Sequence, residues 1–255
     1  MESLLTTLQA GLSLPGFLLF LLVALCIGMA KAGFGGLGLA VVPVMAILFG
    51  PRESTGVILP MLITADILAV IHYRQNAEWK YIIRVLPWVA GGILTGLITG
   101  RFINPGQFRI LLLGVVWIML ALMVINDIRA KRNEDVPHNV AFPAAMGFSG
   151  GFATMIGNAA GPVFTLYFLS MKLRKNEFIG TGAWLYLIMN TGKLPLQAIV
   201  WKNISAHSLF LDLIAIPFIA AGVYLGIYLV RLFPEKVYRY FIIFTTIATS
   251  ALLLL

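Results

Sequence analysis

The chain is written in long apolar runs broken by short polar ones. Ten apolar segments predict helices, at about 15–32, 36–50, 55–73, 81–100, 107–126, 139–153, 157–171, 178–199, 207–231 and 236–255. Most of them approach the ~20 residues that a spanning helix requires. Two pairs stand out. Segments one and two are separated only by Gly33, Phe34, Gly35 and Gly36; segments six and seven are joined through Gly150, Gly151 and the Gly157-Asn158 pair. Several of these paired pieces are short for a full crossing, so each pair reads as an interrupted or re-entrant helix pair. The expected fold is an all-α integral membrane protein of about ten apolar segments.

The longest polar stretch, 126–138, sits at mid-chain and reads as a linker (127–138) between a first membrane repeat, 1–126, and a second, 139–255. A shift of 130 positions lays Pro87 on Pro217, Gly92 on Gly222, Gly96 on Gly226, Arg101 on Arg231 and Phe108-Arg109 on Tyr238-Arg239. A shift of 119 lays Gly38 on Gly157 and Pro43 on Pro162, and one of 124 lays Asp66 on Asn190. Internal symmetry of this kind is typical of transporter folds.

Basic residues then set the orientation. If each short pair returns to the side it entered from, with the N-terminus outside, twelve basic residues fall inside: Arg74, Lys80, Arg84, Arg129, Lys131, Arg132, Lys172, Arg174, Lys175, Arg231, Lys236 and Arg239. Four fall outside: Arg52, Arg101, Arg109 and Lys202. A single net crossing per pair spoils that bias, so the positive-inside rule favours the first arrangement. It gives each half an odd number of crossings and makes the two repeats inverted in topology, with the linker cytoplasmic and both termini outside. A cell-membrane, multi-pass location follows.

Composition closes off the soluble classes. Hydrophobic residues are 60% of the chain and charged residues 11%, against about 25% charged in a soluble domain. The net charge of +8 sits mostly in short loops and is no nucleic-acid footprint. No Lys or Arg precedes the first apolar run, which argues against a cleaved signal. The lone cysteine, Cys26, excludes an intramolecular disulfide and a Cys-based metal site. No HExxH, GxSxG or Walker-type motif is present. No cofactor is expected. An intramembrane enzyme ranks last, with Ser149 and Thr154 beside glycines as its only support.

Three ionisable residues lie deep in apolar runs: Lys31, Asp66 and Lys193. Charge at membrane depth is expensive and faces a partner or a cavity. Two lysines against one aspartate leave local positive charge, which favours an anion. Asp66 is either a structural ion-pair partner or a proton-accepting group, whereas Asp212 and Glu177, near segment ends, are expected at the interface. Segments two and seven should begin near Gly38 and Asn158. Their first N–H groups, lacking intrahelical partners, would cradle an anion. The glycines of 33–38 and Gly150-Gly151 with Gly157 are assigned to that break; Gly91-Gly92, Gly96, Gly222 and Gly226 to close helix packing.

The run Gly33-Phe34-Gly35-Gly36-Leu37-Gly38 followed by Pro43 resembles the glycine-rich signature that opens each half of the TauE/SafE sulfite-exporter family. Thr55-Gly56, Tyr73-Arg74, Asn76, Glu78-Trp79, Pro87, Gly91-Gly92, Gly96 and Gly100-Arg101 follow at family-like spacing. Ser149-Gly150-Gly151-Phe152, Gly157, Pro162, Thr181-Gly182 and Asn190 with Lys193 are similar in the second half, where Thr154, Met155 and Ile156 depart from a fuller glycine run. The resemblance spans about 17–255 and implies export or uptake of a small sulfur-containing or organic anion, such as sulfite or a sulfonate, across a bacterial plasma membrane.

The resulting expectation is a secondary transporter working by alternating access. Gly35, Gly36, Gly38, Gly157 and Asn158 offer backbone N–H groups; Lys31 and Lys193 offer positive charge; Asn190 and Thr154 donate hydrogen bonds; Asp66 couples a proton. Its partners are a small anion, membrane lipid, and a proton or sodium ion. The alternatives are a cation or proton carrier centred on Asp66 and a non-transporting membrane scaffold.

Overall fold

The computed structural model describes residues 12–34, 37–104 and 141–232, together with 106–108, 110, 111, 114, 118, 234 and 237. Most of the fifth apolar segment, nearly all of the tenth, the linker, and Gly35 and Gly36 lie outside the described residues. Every regular element among those described is helical. In chain order they are α1 (Leu14–Lys31), α2 (Leu37–Phe49), α3 (Glu53–Tyr73) running into a 3-10 turn (Arg74–Asn76), α4 (Trp79–Phe102), α5 (Ala141–Gly157), α6 (Gly161–Ser170), α7 (Lys175–Pro195) and α8 (Ala206–Leu232).

Local chemistry explains the ends. The Ser13 hydroxyl accepts from the Gly16 N–H at 3.3 Å and a proline fixes φ in the first turn, so α1 starts there. The capping box of α7 pairs the Arg174 N–H with the Glu177 carboxylate at 2.9 Å. Pro195 lacks an N–H, and beyond it the helix widens into a π turn over Leu196–Trp201, closed by Lys202 in the left-handed region. The Trp201 indole N–H anchors that turn by donating to the Leu97 carbonyl at 3.1 Å.

Four helices among the described residues are long and apolar enough to cross a membrane: α1, α3 with its 3-10 turn, α4 and α8. By contrast α2, with 13 residues, and α6, with 10, rise only about 20 and 15 Å, short of a ~30 Å hydrocarbon layer. Each folds back along its predecessor. Phe49, ending α2, meets Phe20 near the start of α1, and Tyr167, late in α6, meets Phe142 at the start of α5, both with ring centroids 6.0 Å apart. Both short pairs are therefore helical hairpins that return toward the end they came from.

The seams between helices are built from glycine. A methyl at Gly222 of α8 would strike the Leu25 carbonyl of α1, and one at Gly28 of α1 the Ile219 carbonyl of α8. Likewise Gly92 of α4 lies on the Phe148 carbonyl of α5, and Gly151 of α5 on the Val89 carbonyl of α4. Four residues on, Gly226 abuts Met29 and Ala32 while Gly96 abuts Phe152 and Met155. Contacts advancing together along both chains mean that α1 runs parallel to α8 and α4 parallel to α5. In contrast α3 and α7 run antiparallel: Gly56 early in α3 abuts Asn203, and Gly180 early in α7 abuts Tyr73 and Asn76.

Two hydrophobic clusters result. One gathers Phe20, Ile27, Met45 and Ile58 of α1–α3 with Ile219 of α8; the other gathers Phe164, Tyr167 and Met189 of α6–α7 with Val85 and Val89 of α4. Each half's fourth helix thus packs in the other half's cluster. Gly92, Gly96, Gly222 and Gly226 serve close packing as expected, while Gly91 meets, among the described residues, only the Phe148 ring at 3.8 Å. Gly150 and Gly151 require correction. They do not interrupt a helix but lie inside α5, where Gly150 makes room for the Phe164 ring and Gly151 for α4. The break comes later, at 158–160, where Asn158 takes φ 54°. Asp212, in the second turn of α8, is 6% exposed and packed inside the fold.

Candidate functional site

The two hairpin tips and the middles of α3 and α7 meet at one place. Lys31, the last residue of α1, puts its Nζ 2.9 Å from Asp66 Oδ1 of α3. Asn190 of α7 donates from Nδ2 to Asp66 Oδ2 at 2.6 Å. Both oxygens of this fully buried carboxylate thus face donors. The Lys31 ammonium also stands 4.1 Å from the Tyr186 ring centroid, within cation–π range.

Lys193, a turn beyond Asn190, is completely buried. Its Nζ lies 3.0 Å from the Thr154 carbonyl oxygen, 2.8 Å from Thr154 Oγ1 and 2.6 Å from Asn158 Oδ1. Asn158 in turn donates from Nδ2 to the Thr55 carbonyl at 3.2 Å, which fixes the orientation of its amide. The second lysine therefore touches three neutral oxygens, whereas the first touches a carboxylate.

A cavity of about 60 Å³ opens between these groups, room for on the order of four waters. Lys31, Gly38, Thr154, Asn158, Asn190 and Tyr186 line it, with Ala160 and Gly161 at the start of α6 and an apolar wall that includes Val41, Ile58 and Leu62. Two short helices, α2 and α6, begin at it. The Leu37 N–H that opens α2 is spent on the Phe34 carbonyl at 2.9 Å and Pro162 in the first turn of α6 has none, but both helix starts carry partial positive charge. Low-dielectric walls on the other sides strengthen any charge interaction inside.

Of the expected site residues, Lys31, Gly38, Thr154, Asn158 and Asn190 come together on the cavity. Asp66 lies behind Lys31 and Asn190, and Lys193 behind Thr154 and Asn158. Gly35 and Gly36 lie outside the described residues. The backbone donors expected at Gly157 and Asn158 are corrected: Gly157 ends α5, and the Asn158 N–H is spent on the Thr154 carbonyl at 3.0 Å. It is the Asn158 side chain that reaches the site, and the helix that opens on the cavity starts at Gly161. Tyr186 was not expected. Its signal was available, since 186, 190 and 193 fall on one helical face.

Apolar helices, two short hairpins and a small cavity at their tips, walled by apolar side chains and edged by Lys31, Thr154, Asn158 and Asn190, define a multi-pass membrane protein with an internal site. The family model for Sulfite exporter TauE/SafE matches residues 20–253. The chain belongs to that family, one of membrane transporters. No curated protein and no solved structure matches it.

Proposed function

We propose that this protein is a secondary transporter that moves a small oxyanion, such as sulfite or a sulfonate, across the cell membrane by alternating access. One observation carries the reading: Lys31 on the cavity and fully buried Lys193 behind it share the single carboxylate of Asp66 beside a cavity of small-anion size. In this reading Lys31 is the direct electrostatic contact. Tyr186, Asn190 and Thr154 orient the anion, and the starts of α2 and α6 add N–H groups. Lys193 acts from behind by holding Thr154 and Asn158.

The antiparallel course of α3 and α7, mates by the offset between Asp66 and Asn190, supports two inverted-topology repeats. So does the exchange of α4 and α8 between the clusters. Rocking one repeat against the other would open the cavity to each side in turn. A cation carrier centred on Asp66 is less well supported, because both carboxylate oxygens already face donors.

The test is a thermal-shift screen of purified protein against sulfite, sulfate, thiosulfate, taurine, sulfoacetate and small carboxylates, followed by flux of the best ligand in proteoliposomes. A ligand that binds only the native state raises stability by mass action. Stabilisation and flux by one anion, both lost in Lys31→Gln, are expected. Flux that survives Lys31→Gln unchanged would sink the assignment.

A further inference from the structure

The two lysines differ in a way that the transport reading leaves unused. Lys31 is locked to Asp66, so that pair carries no net charge. Lys193 is 0% exposed and touches no carboxylate among the described residues. The charged side chains that bear on it are Lys31 from α1 and Asp66 from α3. α5 and α6, the other hairpin, place no acidic or basic residue along their length. α4 carries Lys80, Arg84 and Arg101 only toward its two ends, and α7 itself carries Lys175 and Glu177 in its first turn.

The ligands of Lys193 suit two protonation states without moving a heavy atom. As an ammonium it donates to the Thr154 carbonyl, the Thr154 hydroxyl and Asn158 Oδ1. As an amine it donates to the two carbonyl oxygens, and its lone pair accepts from the Thr154 hydroxyl, which only has to rotate. Asp66 lacks that freedom. Its neighbours are an ammonium and an amide N–H, and a protonated carboxyl would find no acceptor in that pair.

We propose that Lys193 is the proton-carrying residue of the transporter, so that one proton crosses with each singly charged anion. This rests on the anion-transport reading above. In the empty site Lys193 is a neutral amine and the buried cluster has no net charge. When an anion enters beside Lys31, a proton from water on the open side bonds to the Nζ lone pair and the Thr154 hydroxyl turns away. The new ammonium balances the anion through Thr154 and Asn158, which touch both the cavity and Nζ. On the far side the anion and the proton leave to water and Nζ regains its lone pair. Neither crossing form then buries a net charge, which a low-dielectric interior penalises.

The test uses the full chain in proteoliposomes with labelled sulfite as the probe. Sulfite's own proton equilibria are common to wild type and variant, so their difference isolates the protein's proton. One proton per anion predicts that a gradient of one pH unit drives wild type to accumulate about tenfold more sulfite than Lys193→Met. At equal pH on both sides the variant still exchanges label, more slowly. If the methionine variant does not fold, Lys193→Gln, which keeps a donor for Thr154, replaces it. Equal pH-driven accumulation in wild type and variant overturns the assignment, as does coupling lost in Asp66→Asn but kept in the Lys193 variant. Wild type that exchanges no sulfite at equal pH instead overturns the transport reading itself.

Discussion

The seams at the edge of this molecule are near copies of each other; the centre is not. Along α1/α8 and α4/α5 the same contacts recur, glycine against carbonyl, at matched positions: Gly222 on Leu25 and Gly92 on Phe148, Gly28 on Ile219 and Gly151 on Val89. The offset that takes Leu25 to Phe148 and Gly28 to Gly151 takes Lys31 to Thr154, and the offset that takes Asp66 to Asn190 takes Ala69 to Lys193. Where one half has a lysine bonded to a carboxylate, the other has the Thr154 hydroxyl and the Asn190 amide, and Lys193, from the same helix as Asn190, bonds that hydroxyl. Backbones that approach this closely admit one solution, so both seams keep it. A symmetric pair of ion pairs at the centre would leave no lysine free of a carboxylate to balance an entering anion. Breaking the symmetry there leaves one lysine without a carboxylate.

The largest effect should come from filling a seam. Gly222→Val drives its side chain into the Leu25 carbonyl of another helix, and no side-chain rotation relieves a backbone clash. A loss of more than about 4 kcal/mol is expected, enough to abolish a monodisperse, cooperatively unfolding species in detergent. Gly92→Val should fail equally, because its seam is the same. A tolerated Gly222→Val beside a lethal Gly92→Val would break the equivalence of the two seams.

Next in size is the loss of the Lys31 ammonium. Lys31→Met leaves Asp66 buried with only the Asn190 amide, and an uncompensated buried charge costs about 3–5 kcal/mol. Adding Asp66→Asn should restore most of the lost thermal stability while leaving anion binding abolished. That double variant separates the structural half of the pair from its electrostatic half. A double variant no more stable than Lys31→Met would show that the ion pair is not what holds α1 to α3.

Much of this was legible in the residues, and the misses share a cause. The hairpins, the ends of α1, α3 and α4, and the packing glycines at 92, 96, 222 and 226 follow from apolar run length and small-residue spacing. Gly150 and Gly151 misled because a glycine pair in an apolar helix looks the same whether it breaks the helix or admits a neighbour. Only the positions of α4 and of the Phe164 ring decide. The true break at 158–160 is marked by Asn158 and by Pro162 in the first turn of α6, a quieter signal. Tyr186 went unnoticed because an aromatic residue in an apolar run is ordinarily core, and its role appears only once Lys31 is placed over its ring. The partition of the lysines, one on the cavity and one behind it, depends on which helix lies against which, and no one-dimensional pattern carries that.

Tyr186→Phe is smaller in effect and isolates function from fold. The ring stays beneath Lys31 and only the hydroxyl is lost, which has no protein hydrogen bond among the described residues. Melting temperature should hold within about 1–2 °C, while the half-saturating anion concentration rises about tenfold, one charge-assisted hydrogen bond's worth. An unchanged affinity would remove Tyr186 from the site and move the anion toward the α2 and α6 ends of the cavity.

The smallest effect compares two glycines that neither clash nor turn. Among the described residues, a methyl at Gly91 would meet only the Phe148 ring at 3.8 Å and one at Gly38 only the Ala30 methyl at 3.7 Å, so both sites have room there. Alanine in a helix is favoured over glycine by about 0.5–1 kcal/mol, and both variants should melt at or slightly above wild type. Only Gly38, however, lines the cavity beside Lys31. Gly38→Ala should therefore weaken anion binding about three- to fivefold without loss of stability, while Gly91→Ala leaves binding unchanged. Equal binding in the two variants would take the start of α2 out of the site and leave α6 as the one helix that meets the anion. It would extend the asymmetry of the centre from its side chains to its backbone.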